Sequence, residues 1–201
     1  MKRFLAALAM TSSLVFAGSA FAQTMDKNVK VGSLGDQSGL YADIGGPGSV
    51  VAAQMAIEDS GLKEKGWKIE LVSADHQNKA DISSNTARKW FDEEGVSVIA
   101  DLVSSSTALA VMPVAKEKNK ITLLSGPASS KITNEACTPT NVHWTYDTHS
   151  LAVGTGREVV KQGGDSWFFI TADYAFGYAL EGDATAQIKA GGGTVKGAVK
   201  A

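Results

Sequence analysis

The feature that most constrains this chain is an alternation. Short apolar runs, of the length a buried strand needs, take turns with longer stretches whose apolar residues fall at helical spacing. Residues 29–34 form the first run, ended by Gly35. Pro47 and Gly48 then open a helix with Val50, Ala53 and Ile57 on one face, and Gly61 closes it. Trp67, Ile69 and Leu71 alternate with Lys68 and Glu70, which predicts a half-exposed strand. Asp81 is placed to cap a helix reaching about Glu93, with Ile82, Trp90 and Phe91 as its apolar content. Residues 96–103 read as a buried strand. Ala108, Val111, Met112 and Ala115 then share one helix face, and Pro113 is expected to kink that helix or displace its start. Residues 121–124 are the fourth strand. Residues 126–147, rich in Gly, Ser, Thr, Asn and Pro, break the pattern and read as loop and crossover. A second set follows: a helix over 149–162, a strand over 167–171, a helix over 176–190 with Leu180, Ala184 and Ile188 aligned, and the start of a strand at 194–199. Such alternation predicts an α/β protein with doubly wound parallel sheets. The break predicts two lobes, 23–140 and 141–201, the second incomplete.

Residues 1–22 follow a different logic. Lys2 and Arg3 precede an apolar run from Phe4 to Phe16, interrupted by Thr11, Ser12 and Ser13, and Ala20-Phe21-Ala22 supplies a small-x-small site. That order predicts a secretory signal cut after Ala22, and the run is too short for a bilayer span. Gln23, not Cys, follows the cut, which argues against lipid attachment. Removing the signal takes away two cations and no acid, leaving 179 residues with 17 basic against 21 acidic side chains. This length buries a real core. The mild acidity gives no electrostatic footprint for nucleic acid or an anionic membrane. Cys137 is the one cysteine. In an exported chain it is either a lone thiol or half of a pair completed outside this sequence. The chain stops at Val199-Lys200-Ala201, inside an expected strand.

Ligands of open parallel sheets bind outside the carboxyl ends of the strands. The residues found there are Asp36 to Tyr41, Asp75 to Asn78, Ser104 to Thr107, Gly126 to Ser130 and, in the second set, Asp173 to Phe176. Ser104-Ser105-Ser106-Thr107 stands at a helix start, where unpaired N–H groups and hydroxyls together suit a carboxylate without any formal charge. Ordinary N-capping needs only one such hydroxyl. Tyr41, Tyr174 and Phe176 are either apolar walls of a binding cleft or core filling. For Trp144 and Tyr146, packing at the lobe junction is favoured over lining the cleft.

Signatures of catalysis are missing. There is no G-x-S-x-G elbow and no phosphate-binding G-x-x-x-x-G-K-[ST]. Gly46-Pro47-Gly48 lacks the third glycine of a dinucleotide fingerprint, and Gly154 and Gly156 read as close-packing residues within a helix. His76, His143 and His149 do not pair at zinc-ligand spacing. His76 beside Asp75 reads as a surface or cleft-rim residue, and Asp173 as a helix cap. No enzyme activity, cofactor or metal is expected.

Several of these segments, in order, carry a resemblance. Lys30 to Leu34 followed by Ser38-Gly39, Leu102 to Thr107 before a helix, Ser125 to Ser130 after the next strand, and Thr171 to Gly177 resemble the periplasmic solute-binding proteins of branched-chain amino acid ABC transporters. The resemblance implies a type I periplasmic-binding fold, two α/β lobes joined by a hinge that close on a ligand, of which this chain is the N-terminal half. It implies that Ser104 and Ser105, with Ala128, Ser129 and Ser130, hold the ligand carboxylate, and that aromatic residues stand near the ligand side chain at positions matching Ile44 and Phe176. Ile44 departs from the tyrosine of some relatives, with Tyr41 able to take over that wall. The segments 40–45 and 143–147 look like a subgroup associated with aromatic carboxylates. The implied function is capture of an amino acid or aromatic carboxylate for a membrane permease by a periplasmic monomer, not inserted in the membrane after signal cleavage. A ligand-sensing ectodomain of the same fold is the alternative, and a secreted enzyme using His76 and Asp173 a third.

Overall fold

The computed structural model describes residues 26–201. The expected signal and its cut after Ala22 lie outside the described residues. Strand β1 (Asn28–Gly35) leads through a short helix α1 (Ala42–Gly45) into α2 (Pro47–Asp59). Then come β2 (Lys68–Asp75), α3 (Ala80–Asp92), β3 (Val98–Asp101), α4 (Ser105–Glu117), β4 (Ile121–Leu124) and β5 (Asn141–His143). These strands form one sheet of order β2-β1-β3-β4-β5, parallel throughout. After it, α5 (Thr148–Leu151), a π-helical stretch Ala152–Arg157 and α6 (Glu158–Lys161) make a continuous helical segment. β6 (Ser166–Thr171), α7 (Ala175–Ala190) and β7 (Thr194–Lys200) complete the chain, with β6 and β7 paired in parallel as a second sheet.

Helices α3 and α4 cover one face of the first sheet. Their Ala87, Trp90, Phe91, Ala108, Val111, Met112 and Ala115 meet Leu34, Ile99 and Leu124 of the strands in one buried cluster. Each fully buried large side chain there contributes about 1.5–3 kcal/mol. Trp90 packs on β1 at Gly32, where a Cβ would come within 2.4 Å of the indole. A smaller cluster, Ala152, Val160, Ala184 and Ile188, joins α7 and the helical segment to Trp167, Phe169 and Val195 of the second sheet.

Several expectations change. β3 is shorter than 96–103 because Asp101 and Leu102 both take left-handed backbone (φ 81° and 52°), which ends the strand. β5 pairs with β4, so the chain stays in the first sheet past the expected boundary at residue 140, where loop was anticipated. α4 starts at Ser105 and continues through Pro113, which is exposed. The N-cap of α3 is Lys79, and Asp81 sits within the first turn instead. Gly154 is not a close-packing residue: a Cβ there meets open space, and one at Gly156 would make only ordinary contact with Ile188 at 3.8 Å.

Candidate ligand-binding cavity

The carboxyl ends of the first sheet's strands face the start of α7, and a cavity of about 220 Å³ lies between them. It is lined by Tyr41, Ile44, Val103, Ser105, Gly126, Ala128, Tyr146, Tyr174 and Phe176. A larger groove of about 490 Å³, with Gln54, Ile57 and Trp67 in its walls, opens at the amino end of β2, away from the strand ends where parallel sheets bind ligands.

Each wall is built locally. Asp36, at the end of β1, accepts hydrogen bonds from the N–H groups of Gly39 and Tyr41, both at 2.9 Å. Asp75, at the end of β2, accepts from Gln37 N–H at 2.9 Å and from the Ser38 hydroxyl at 2.5 Å. Burial acts to raise the Asp75 carboxyl, but the bonds from Ser38, Gln77 and Gln37 outweigh it and leave it below its ordinary value. The turn thus fixed presents Tyr41, whose hydroxyl donates to that of Tyr174 at 2.5 Å. Their ring centroids are 5.9 Å apart, and Tyr174 and Phe176 follow at 6.0 Å. Burial first, then the hydrogen bond shared with the Tyr41 hydroxyl, holds the Tyr174 phenol well above its ordinary range, so it stays neutral.

The hydroxyl row divides its labour. Ser105 lines the cavity, and its Oγ accepts the N–H groups of Ala128 and Ser129 at 3.2 and 3.1 Å. Its own proton remains available to a ligand oxygen. Ser104 is fully buried, caps α4 by backbone alone, and its Oγ has no hydrogen-bond partner. Ser106 accepts the N–H of Ala175 at 3.2 Å, tying α4 to α7. Thr107 is fully buried and donates to the Ser104 carbonyl at 2.8 Å. Of the carboxylate-side residues, Ala128 lines the cavity, whereas Ser129 is buried behind it with its Oγ turned to Lys131 N–H. Ser130 N–H donates to Thr148 Oγ1 at 2.9 Å, and that hydroxyl donates in turn to Asp183 of α7 at 2.6 Å.

Other positions depart from expectation. His76 is not at a surface or rim but fully buried. Asn78 N–H donates to its Nδ1 at 3.0 Å, which leaves the proton on Nε2, 3.4 Å from Thr107 Oγ1. Burial lowers its pKa, opposed by the charges of Asp36 and Asp75. Asp173 does not cap α7, whose N-cap is Tyr174 without a side-chain bond; it accepts from the Tyr178 hydroxyl. Trp144 and Tyr146 do not share a role: Tyr146 lines the cavity, and Trp144 is 82% exposed. Gly126, among the residues expected after the fourth strand, lines the cavity, whereas sequence reasoning missed Val103 and Asp101. Asp101 is buried behind the cavity wall. Its Oδ1 accepts from Ser125 at 3.3 Å, while Ser49 is near but makes no well-formed bond to Oδ2, which is unpartnered. Burial raises its carboxyl to about 6. Its left-handed φ leaves no signature in composition or periodicity.

The cavity brings four aromatic residues, Tyr41, Tyr146, Tyr174 and Phe176, together with the Ser105 hydroxyl at the start of α4. Among the described residues no cluster of metal-binding side chains occurs, and no helix is long and apolar enough to cross a membrane. The sequence profile of the periplasmic binding protein family matches residues 28–201. The chain belongs to that family. It is similar to Leu/Ile/Val-binding protein homolog 6 of Brucella abortus (strain 2308), with 26% identity over 194 residues, 96% of this chain and 49% of that protein. Among solved structures it is similar to a periplasmic binding protein from Burkholderia mallei, with 51% identity and a TM-score of 0.83 over 87% of this chain and 47% of that one. It is also similar to a solute binding protein of an ABC transporter from Rhodopseudomonas palustris BisB5, in complex with 3,4-dihydroxybenzoic acid. There the identity is 25% and the TM-score 0.75, again over 87% of this chain and 47% of that one. The chain spans about half the length of the curated relatives it matches. The resemblance carried by the post-strand segments therefore holds: this is a periplasmic binding protein with the parallel α/β architecture of the type I fold.

Proposed function

We propose that this periplasmic binding protein captures an aromatic carboxylate in the cavity between its two sheets and delivers it, in the periplasm, to the permease of an ABC uptake transporter. The observation that carries the reading is the cavity wall: Tyr41, Tyr146, Tyr174 and Phe176 converge on a space lined also by the Ser105 hydroxyl. Aromatic side chains offer a ring both apolar area and favourable tilted contacts. Ser105, together with the unpaired N–H groups of the first turn of α4, offers the carboxylate donors in a positive field. Ala128, Ser129 and Ser130 shape that end through backbone groups. Tyr41 and Tyr174 reach across from opposite sides, so binding and closure of the lobes about their crossovers act together. The dihydroxybenzoic acid bound by the Rhodopseudomonas palustris protein has this chemistry. Isothermal titration of the full chain with benzoate, 4-hydroxybenzoate and leucine tests the proposal. Saturable binding of the aromatic acids, lost on Ser105→Ala and weakened on Phe176→Ala, is the expected outcome. Binding of leucine alone moves the ligand class to amino acids, and binding of none removes the capture function.

A further inference from the structure

Asp36 is fully buried and lines no part of the cavity, and none of its hydrogen bonds is to a cation. A buried carboxylate held this way is costly unless backbone donors satisfy it. Here they do so by wrapping the chain around it. Oδ1 takes the Gly39 N–H and Oδ2 the Tyr41 N–H. The wrap is tight: a Cβ on Gly39 would stand 2.5 Å from Oδ1 and 2.7 Å from Oδ2. The second donor belongs to the residue whose hydroxyl meets Tyr174 on the other side of the cavity. Tyr41 is also the backbone origin of α1, since its carbonyl accepts the N–H groups of Ile44 and Gly45. One carboxylate thus fixes the position of Tyr41, and Tyr41 in turn carries the turn that places Ile44 in the same wall.

We infer that Asp36 is a positioning residue for ligand capture, acting through Tyr41 to set how far the first sheet's wall reaches toward Tyr174. The inference rests on the cavity being the ligand site, but its geometry stands apart from which acid is bound. Asparagine in place of aspartate keeps the shape yet turns one acceptor into a donor, so one of the two N–H bonds is lost. The test is a double-mutant cycle in the full chain with 4-hydroxybenzoate as the probe, read alongside near-ultraviolet circular dichroism without any ligand. Asp36→Asn is expected to weaken binding roughly tenfold, in line with the loss of one charge-assisted hydrogen bond. Asp36→Asn/Tyr41→Phe is expected to bind no more weakly than the weaker of the two single variants. The tyrosine dichroism of Asp36→Asn should shift in the same direction as that of Tyr41→Phe. If the aspartate variant does not fold, Gly39→Ala, which forces the same wrap open, takes its place in the cycle. Losses that add in the double variant, or a tyrosine dichroism that Asp36→Asn leaves unchanged, overturn the inference. Should the wild type bind no aromatic acid, the proposed ligand fails while the dichroism comparison still decides the role of Asp36.

Discussion

In the first sheet, Leu34 and Ile99 on the central strands are wholly enclosed; in the second, Phe168 and Ile170 on β6 are 59% and 78% exposed. Both sheets are parallel, and both have a helical layer built from small and branched residues. The difference lies in coverage. Central strands of parallel sheets bury both faces, which takes a helical layer on each side. The first sheet comes close to this, with α3 and α4 on one face and α2 set against β1 and β2 on the other. The second sheet has α7 and the helical segment on one face only, with Ala152, Val160, Ala184 and Ile188 as its enclosed cluster. The cavity lies where the two meet, so one wall is anchored in a dense core and the other in a light one. The lesson is that the cavity's rigid reference is the first sheet, and that Tyr174 and Phe176 belong to the more yielding partner.

The strongest way to break this comparison is to remove one enclosed side chain from each core. Leu34→Ala should cost about 3–5 kcal/mol and lower the main unfolding transition, whereas Ile188→Ala should cost about 2 kcal/mol because its surroundings relax into the gap. Hydrogen exchange should then rise through residues 148–200 for Ile188→Ala and leave β1 and β3 protected. Equal losses and a uniform rise in exchange would make the two sheets one cooperative unit.

A second, smaller effect sharpens the account of the dense side. The Asp101 carboxyl is raised from 3.8 to about 6 by burial. The folded state therefore binds this proton more tightly than the unfolded state. The stability this gives is present below the unfolded value and is lost as pH rises through the folded value. Asp101→Asn, which tolerates the same left-handed backbone, should be more stable than wild type by about 3 kcal/mol at most at pH 7.5. Near pH 3 the two should be alike. Urea titrations at both pH values measure this, and an advantage that persists unchanged at acid pH would assign the gain to something other than the buried charge.

The smallest effect concerns the seam itself. Tyr41→Phe removes the hydroxyl bond to Tyr174 and should cost about 1 kcal/mol. Exchange should quicken at the Ala175 amide, which is bonded to Ser106 across the same seam, and not at Leu34. A change at Leu34 would mean that the two walls are not separately anchored.

Most strands and helices were legible because the strands carry their own apolar runs and the helices their own faces; β5, with Val142 as its one apolar residue, carries no such run. The fourth strand, residues 121–124, matches β4 in full, and the half-exposed alternation from Trp67 onward matches β2. Tyr41, Ser105, Ala128, Tyr174 and Phe176 were legible as cavity residues because they follow strand ends. What failed to show depends on contacts between distant segments. The burial of His76 needs Thr107, which only the fold brings near. A row of four hydroxyls looks uniform in sequence, yet helix geometry turns successive residues by 100°. Ser105 consequently meets the cavity, Ser106 meets α7 and Thr107 meets its own helix. Tyr146 and Trp144 differ by two positions on an irregular segment, where no periodicity separates an inward from an outward side chain.

The indole of Trp90 resting on the bare backbone of Gly32 gives the dense sheet its own optical gauge. Only 5% of that residue meets solvent, so its fluorescence reports on a dry environment that persists as long as β1 and α3 remain together. Trp167, whose Nε1 donates to the Gly164 carbonyl beside Phe169, plays the same part for the lighter sheet. With Trp67 and Trp144 replaced by phenylalanine, one chromophore would remain in each body, and removing either of the two leaves a lamp burning in the other.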